Sequence, residues 1–340
     1  MKPTRTLNAD ADGIAEAASI LRRGGLVAFP TETVYGLGAD ALDAVAATGI
    51  YEAKGRPADD PLIVHVRNAA ELTRIARSAE RVDILAMRFW PGPLTLVVHK
   101  LPVVPDVVTA GLPTVAVRVP AHPVAQALLH KCDLPLAAPS ANLFGRTSPT
   151  RAEHVLDDLR GRIDAIVDGG PTLVGVESTI VDVSGTQPRL LRPGGVPAED
   201  IEATLGVKLL AADETERPMA PGMLPSHYAP RTPLVLITGD AAAARERLFA
   251  EVKRARASGQ RVGVLLLDDD RTLRGKAVTE HVGTYAQPNE SAARLFNALR
   301  ALDAANCDIL VARELADPAT GLGRALADRL RRAAKRVIEA

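Results

Sequence analysis

Lys54-Gly55-Arg56-Pro57 and Pro139-Ser140-Ala141-Asn142 bring a basic pair, a hydroxyl and a side-chain amide into one chain, in two separated segments. A polyphosphate needs those groups: fixed cations against its charge and donors for its oxygens. Pro57 and Pro61 stiffen the loop after the basic pair, so that both cations are aimed in a fixed direction. A lone Lys-x-Arg at a helix end more often only complements the helix dipole. Ser and Asn often only make turns. Here, however, the second segment follows a buried-looking strand, and strand ends on α/β sheets commonly present ligand groups. The chain has no GxxxxGKS/T loop, so a nucleoside triphosphate would have to be held by side chains from separate segments.

Other residues are weighed in the same way. Gly36-x-Gly38-x-x-Ala41 imitates a dinucleotide fingerprint, but Pro30-Thr31-Glu32-Thr33 separates it from the preceding strand and no acidic partner follows at the usual distance. That reading is rejected. Arg118 interrupts the apolar run Val115-Ala116-Val117-Arg118-Val119, and a buried guanidinium must find an anion, for which a substrate carboxylate is well suited. His65 inside an apolar strand reads, taken alone, as a hydrogen-bonded core histidine. The seven histidines show no metal-ligand spacing, and no G-x-S-x-G elbow supports a serine nucleophile.

These residues need elements to position them. Periodicity predicts helices over 12–23, 43–53, 69–78, 80–89 and 122–131, with the second delivering Lys54 and Arg56 at its C-terminal end. Strands are expected at 26–29, 62–66, 94–98, 114–119, 134–138, 163–168, 178–183 and 189–192. Thr150-Arg151-Ala152-Glu153 reads as a capping box opening another helix. Strands and helices interleave irregularly, which predicts an α/β fold with a mixed twisted sheet and flanking helices. Residues 211–233 hold five prolines (218, 221, 225, 230 and 233) and read as a linker or lid. Beyond it, strands at 234–237, 262–267 and 308–312 alternate with helices at 241–257, about 290–305 and from about 322, as in a small Rossmann-like three-layer α/β domain. The expected division is 1–210, a linker 211–233, and 234–340.

Composition bounds the function. The 340 residues are 47% hydrophobic, with Lys plus Arg balancing Asp plus Glu at 41 each. Zero formal charge argues against a sequence-independent nucleic-acid binder. Cys132 and Cys307, without CxxC spacing, are expected to be buried reduced thiols. No apolar run reaches the length of a membrane span, so a soluble cytoplasmic protein is expected.

Taken in order, the motifs resemble the threonylcarbamoyl-AMP synthases of the YrdC-like family, in their long form with a C-terminal domain. The resemblance rests on Pro30-Thr31-Glu32-Thr33-Val34-Tyr35-Gly36-Leu37, Lys54-Gly55-Arg56-Pro57, Pro91-Gly92-Pro93-Leu94-Thr95, Arg118-Val119-Pro120, Pro139-Ser140-Ala141-Asn142, Ser148-Pro149-Thr150, Glu177-Ser178-Thr179-Ile180 and Leu191-Arg192-Pro193-Gly194. The linker segments Ala220-Pro221-Gly222-Met223 and His227-Tyr228-Ala229-Pro230 extend it. It implies ATP-dependent joining of L-threonine and bicarbonate into L-threonylcarbamoyladenylate, with release of pyrophosphate and with Mg²⁺ accompanying ATP. The product would pass to a tRNA threonylcarbamoyl-transferase complex. By the same resemblance Lys54, Arg56, Ser140 and Asn142 form a catalytic tetrad. Thr33, His65, Arg118, Ala138 and Ser178 would hold threonine, and Arg56, Asp60, Thr114, Ser140, Ser148, Arg192 and Tyr228 would contact ATP. Asp60 is a departure, since many relatives carry Asn there. An added negative charge should repel the triphosphate unless it faces away or engages Mg²⁺. An RNA-binding or ribosome-associated module is the alternative from another class. A carbamoyl-transfer maturation enzyme is disfavoured, because the chain lacks zinc-finger cysteines.

Overall fold

Asp43 caps the helix Ala44–Lys54, its carboxylate accepting the Val45 and Ala46 N–H groups, and Gly55 ends it at φ 63°, a left-handed turn open to glycine without strain. That turn places Arg56 just beyond the helix end. The computed structural model describes residues 3–212, 218–223, 227–270 and 277–340. The chain forms two units. The first comprises Met1–Phe144, Ser148–Leu173 and Glu177–Leu224; the second comprises Gly145–Thr147, Val174–Val176 and Pro225–Ala340.

In the first unit the strands are β1 (Arg5–Asn8), β2 (Val27–Pro30), β3 (Tyr35–Asp40), β4 (Ile63–His65), β5 (Leu94–His99), β6 (Thr114–Arg118), β7 (Leu136–Ala137), β8 (Ala165–Asp168), β9 (Thr179–Asp182), β10 (Arg189–Arg192) and β11 (Leu210–Ala211). They make one mixed sheet in the order β1-β8-β2-β3-β7-β4-β6-β5-β9-β10-β11. At its centre His65 of β4 lies opposite Arg118 of the parallel β6 and Leu136 of the antiparallel β7. β5 runs antiparallel to β6 and parallel to β9.

Alternation along these strands sorts their side chains between two faces. Val64, Leu94, Leu96, Val98, Val115, Val117, Ala137 and Val181 enter the main core, which also takes Ile50, Leu85 and Val155 from the covering helices. The opposite face carries Ile63, Val97, Ala116 and Ile180, which form a smaller cluster with Leu191 and Ala220. In the same alternation His65, Thr95, Thr114 and Arg118 share this second face.

The second unit holds a parallel sheet of β12 (Leu234–Thr238), β13 (Val262–Leu266), β14 (Val278–His281), β15 (Ile309–Arg313) and β16 (Arg336–Glu339), in the order β14-β13-β15-β12-β16. Val235, Ile237, Val264 and Val311 on one face pack with Ala244, Leu248 and Val252 of the helix Ala241–Ala257. The helices Pro288–Ala304 and Gly321–Ala333 complete it.

Several expectations change. The glycines of the rejected fingerprint lie in β3, which pairs antiparallel with β2, so no strand–turn–helix exists there. The expected capping box does not form: the helix is Ala152–Leu159, Arg151 is its cap residue without a side-chain bond, and the Thr150 N–H donates instead to His154 Nδ1 at 3.2 Å. Residues 69–74 form a 3₁₀ helix rather than the longer helix expected. β1, β3, β11, β14 and β16 were not foreseen: β3 is a buried strand that carries the glycines of the rejected fingerprint, and the other four are short edge strands without an apolar run to betray them. Both cysteines are buried and free. Pro225 of the linker lies outside the described residues. Among the described residues no helix is long and apolar enough to cross a membrane.

Candidate active site

Lys54 ties the two motifs together. Its Nζ donates to the carbonyl oxygens of Ser140 at 2.5 Å and Asn142 at 2.6 Å, and the Phe144 N–H returns a bond to the Lys54 carbonyl at 2.9 Å. Residues 139–141 are in turn held by β3: Leu37 N–H donates to the Pro139 carbonyl, Ala141 N–H to the Tyr35 carbonyl, and Ser140 forms an isolated bridge with Gly36. The lysine is 2% exposed. Burial, and behind it the neighbouring Arg56 cation, holds it well below the ordinary lysine range. An ammonium has three donors, and the two carbonyls engage two of them. In this arrangement Ser140 and Asn142 act first through their backbone, a role the sequence reading did not assign. Asn142 is fully buried, its Nδ2 donating to the Leu143 carbonyl at 2.7 Å.

Arg56 is fixed by its own loop. Nε donates to the Asp60 carbonyl at 2.9 Å, Nη2 donates to the Pro61 carbonyl at 2.7 Å, and Nη2 also lies 2.9 Å from Asp60 Oδ2. Tyr51, its hydroxyl pushed up to about 12 mainly by burial, donates to the carbonyls of Val107 and Asp60 and pins the same loop from below. The stiffness expected of Pro57 and Pro61 therefore comes as much from arginine bonds as from proline rings. Asp60 does not face away: it is 1% exposed and paired with Arg56.

A second cluster sits at the other end of the same strands. Arg118 Nη1 donates to Thr33 Oγ1 at 2.9 Å, Nε donates to the Gly92 carbonyl at 3.2 Å, and Nη2 lies 2.6 Å from Glu32 Oε1. The expected anion for this buried guanidinium is thus supplied by the chain itself. Glu32 is the residue that sequence reasoning missed; its other oxygen accepts the Ala121 N–H at 3.1 Å. Its signal was an acid flanked by two threonines, Thr31 and Thr33, whose hydroxyls bond each other at 2.8 Å. His65, beside Arg118, is 3% exposed and pushed down to about 3 by burial and then by Arg118, so it is neutral across the physiological range.

Ser178 and Arg192 extend this cluster along β9 and β10. Ser178 Oγ shares a 2.7 Å bond with Thr95 Oγ1, and Arg192 Nη2 donates to both the Ser178 carbonyl and Oγ. Arg192 Nη1 donates to the Pro221 carbonyl at 3.0 Å, while Ala220 packs with Ile63, Ala116 and Ile180. The stretch 218–223 therefore lies on the site face of the first unit. Ser148 Oγ donates to Glu177 Oε1 at 2.5 Å, a partner that immediately precedes Ser178 and was not singled out. The Ala138 N–H donates to the Ile63 carbonyl, and its methyl lies 3.4 Å from where a Gly36 side chain would begin.

Thr114 stands at the start of β6, four residues before Arg118 on the same face, about 13 Å along the strand at the usual rise. Its buried Oγ1 has no hydrogen-bond partner. Arg56 and Ser140 lie toward the Thr114 end, since Pro61 and Ser140 continue the registers of β4 with β6 and of β7 with β4. Cations thus stand near both ends of these strands, with Ile63 and Ala116 between them. Such an arrangement suits a molecule with a polyphosphate at one end and a carboxylate at the other. Among the described residues no group of three or more His, Cys, Asp and Glu could hold a metal ion.

Tyr228, the remaining predicted nucleotide contact, belongs to the second unit. It is 1% exposed at φ 63°, stacked on Phe296 at 5.8 Å with the Arg329 guanidinium 4.9 Å over its ring. Thr147 Oγ1 donates to its carbonyl at 3.2 Å.

The chain is similar to known proteins over nearly its whole length. The Sua5/YciO/YrdC family profile, described as telomere recombination, matches residues 19–194. The profile of the threonylcarbamoyl-AMP synthase C-terminal domain matches residues 196–335. The chain is 46% identical to the threonylcarbamoyl-AMP synthase of Bacillus subtilis over 97% of its own length and 95% of the relative's. It is 44% identical to that of Pyrococcus abyssi, over 93% and 92%. The solved structure of P. abyssi Sua5 complexed with L-threonine superposes with a TM-score of 0.93 at 42% identity, covering 99% of this chain and all of that one.

Proposed function

Because the chain belongs to the threonylcarbamoyl-AMP synthase family, we propose that it joins L-threonine, bicarbonate and ATP into L-threonylcarbamoyladenylate and pyrophosphate. The observation that carries this reading is the Lys54–Ser140–Asn142 tie, with Arg118 paired to Glu32 at the other end of the central strands. The relative bound to L-threonine supports threonine as the amino acid. The adenylate would then be handed to a transferase complex that modifies adenosine 37 of tRNA.

In this reading the threonine carboxylate enters the fork of Arg118, sharing it with Glu32 and Thr33. Ser178, held by Arg192 and Thr95, borders the same pocket, and neutral His65 offers a hydrogen bond without adding charge. Bicarbonate supplies CO₂ by loss of hydroxide as water; the threonine amine attacks its carbon, the C–N bond forms as one C=O π bond opens, and the amine loses a proton to give a carbamate. A carbamate oxygen then attacks the α-phosphorus, and the bond to the β-phosphate oxygen breaks as pyrophosphate leaves. Lys54 and Arg56 meet the charge that grows on the leaving group, and positioning two anions against their repulsion is the main catalytic task. Mg²⁺ is expected to arrive on the phosphates of ATP. The carboxylate nearest the cradle, Asp60, is engaged by Arg56 and is a poor candidate ligand for it.

The test is to incubate the full-length protein with ATP, Mg²⁺, bicarbonate and single amino acids, following pyrophosphate release and product mass. Pyrophosphate and the adenylate should form only when L-threonine and bicarbonate are both present. Release that ignores threonine would overturn the assignment.

A further inference from the structure

Asp60 has an environment its type does not favour. It is 1% exposed, its Oδ2 is ion-paired with Arg56 Nη2 at 2.9 Å, and both carboxylate oxygens, Oδ1 without even an ion-pair partner, are buried without a hydrogen-bond donor. The neighbouring charges are those of Arg56, Lys54 and, more distantly, Arg192 on the positive side and Asp59 on the negative side. The Tyr51 hydroxyl meets only its backbone carbonyl. A carboxylate so placed halves the positive charge that Arg56 and Lys54 offer to a polyanion. It also leaves one oxygen with nothing to stabilise its share of the charge.

Resting on the placement of the triphosphate proposed above, we infer that Asp60 sets the charge of this site: it balances Arg56 in the nucleotide-free protein and takes up a proton on Oδ1 when the polyanion binds. The proton comes from solvent and returns to solvent once pyrophosphate departs; no other bond changes. Protonation turns the side chain into a neutral hydrogen-bond donor and leaves the full charge of Arg56 to the phosphates. The free protein is thereby spared an uncompensated buried guanidinium, and the bound state is spared a buried carboxylate facing a polyanion. Burial already raises the Asp60 carboxyl above its ordinary range despite Arg56, which makes the proton easier to accept. Lys54, held low by burial and by Arg56, is the rival acceptor.

The two are separated by isothermal titration calorimetry of ATP with magnesium, without threonine or bicarbonate, in buffers of different ionisation enthalpy. Wild type and Asp60→Asn are compared from about pH 5.5 to pH 8. By linkage, each proton taken up makes affinity rise about tenfold per unit fall in pH. Titration of ATP is common to both proteins, and because the Asp60 charge raises Lys54, the same pair is also compared in a Lys54→Met background, where the remaining difference reports residue 60. Wild type should take up a fraction of a proton, up to one, that Asp60→Asn lacks. Asp60→Asn should bind more tightly at the alkaline end, where wild type must remain charged. Equal proton uptake and parallel pH profiles in the two proteins overturn the inference while leaving the triphosphate site standing. Absence of ATP binding to both, with intact folds by circular dichroism, overturns the site reading and the inference together.

Discussion

Replacing Lys54 by Met removes the ammonium but keeps much of the stem packing, and it should cost stability as well as activity. Two charge-assisted bonds, to the carbonyls of Ser140 and Asn142, are lost. At about 1.5–3 kcal/mol each the gross loss is roughly 3–6 kcal/mol. Relief from burying a cation, the same effect that depresses this lysine, returns part of that, so the net loss should be about 2–3 kcal/mol. For a 340-residue protein that corresponds to a fall of roughly 3–4 °C in the unfolding midpoint. Pyrophosphate release should fall at least about 100-fold, as for loss of a cation facing a leaving group.

The pH dependence gives this prediction its sharpest edge. Lys54 is depressed in the folded state, so between its folded value and the ordinary lysine value the unfolded chain binds more protons. Wild-type stability contributed by this residue therefore rises with pH across that window. The Met variant lacks the term, so the gap between the two midpoints should widen as pH is raised toward about 10. Thermal unfolding by circular dichroism at several pH values measures it. A gap that stays constant or narrows would refute the view of Lys54 as a buried, depressed amine. Unchanged activity would refute its role at the phosphates.

Arg118→Lys keeps the charge but dissolves the fork to Thr33, Glu32 and Gly92, and should raise the threonine concentration for half-maximal rate more than about tenfold with little change for ATP; an equal effect on both substrates, seen in initial-rate kinetics, contradicts that placement. His65 should stay neutral down to about pH 3, so its imidazole resonances should show no titration near pH 6.5 by NMR; an inflection there removes the argument for a neutral partner. Tyr228→Ala deletes a buried ring stacked on Phe296 and covered by Arg329, and should cost about 3–5 kcal/mol in urea unfolding; a midpoint equal to wild type would show that the ring carries no packing load.

The candidate site residues stand out in the sequence because they break local rules. Arg118 in an apolar strand, a Lys-Gly-Arg-Pro run at a helix end and Ser-Ala-Asn after a buried strand each conflict with their surroundings, and such conflicts mark function. The helices around them were readable to within a residue: 43–53, 80–89 and 241–257 were expected, and Ala44–Lys54, Glu80–Phe89 and Ala241–Ala257 form. What stayed hidden depends on partners distant in the chain. Glu32 gains meaning only when β6 brings Arg118 to it, and Glu177 only when the 148 loop reaches it. The backbone service of Ser140 and Asn142 was invisible for another reason: a carbonyl belongs to every residue, so no residue type announces it.

Each cation of the site is already committed inside the protein. Arg118 has Glu32, Arg56 has Asp60 and two carbonyls, Lys54 has two carbonyls, and Arg192 has Ser178 and Pro221. A fold that buried four such groups without partners would lose several kcal/mol for each. The commitments therefore let the site exist before its ligands arrive, and they turn binding into exchange rather than simple capture. An incoming carboxylate must share Arg118 with Glu32, and an incoming phosphate must outweigh Asp60 at Arg56. A ligand carrying only one of the two anions faces one of these exchanges and meets only one end of a span about 13 Å long. Two anions at the right separation complete both exchanges. Under the proposed function, selectivity for an amino acid paired with a nucleotide would follow from that coupling.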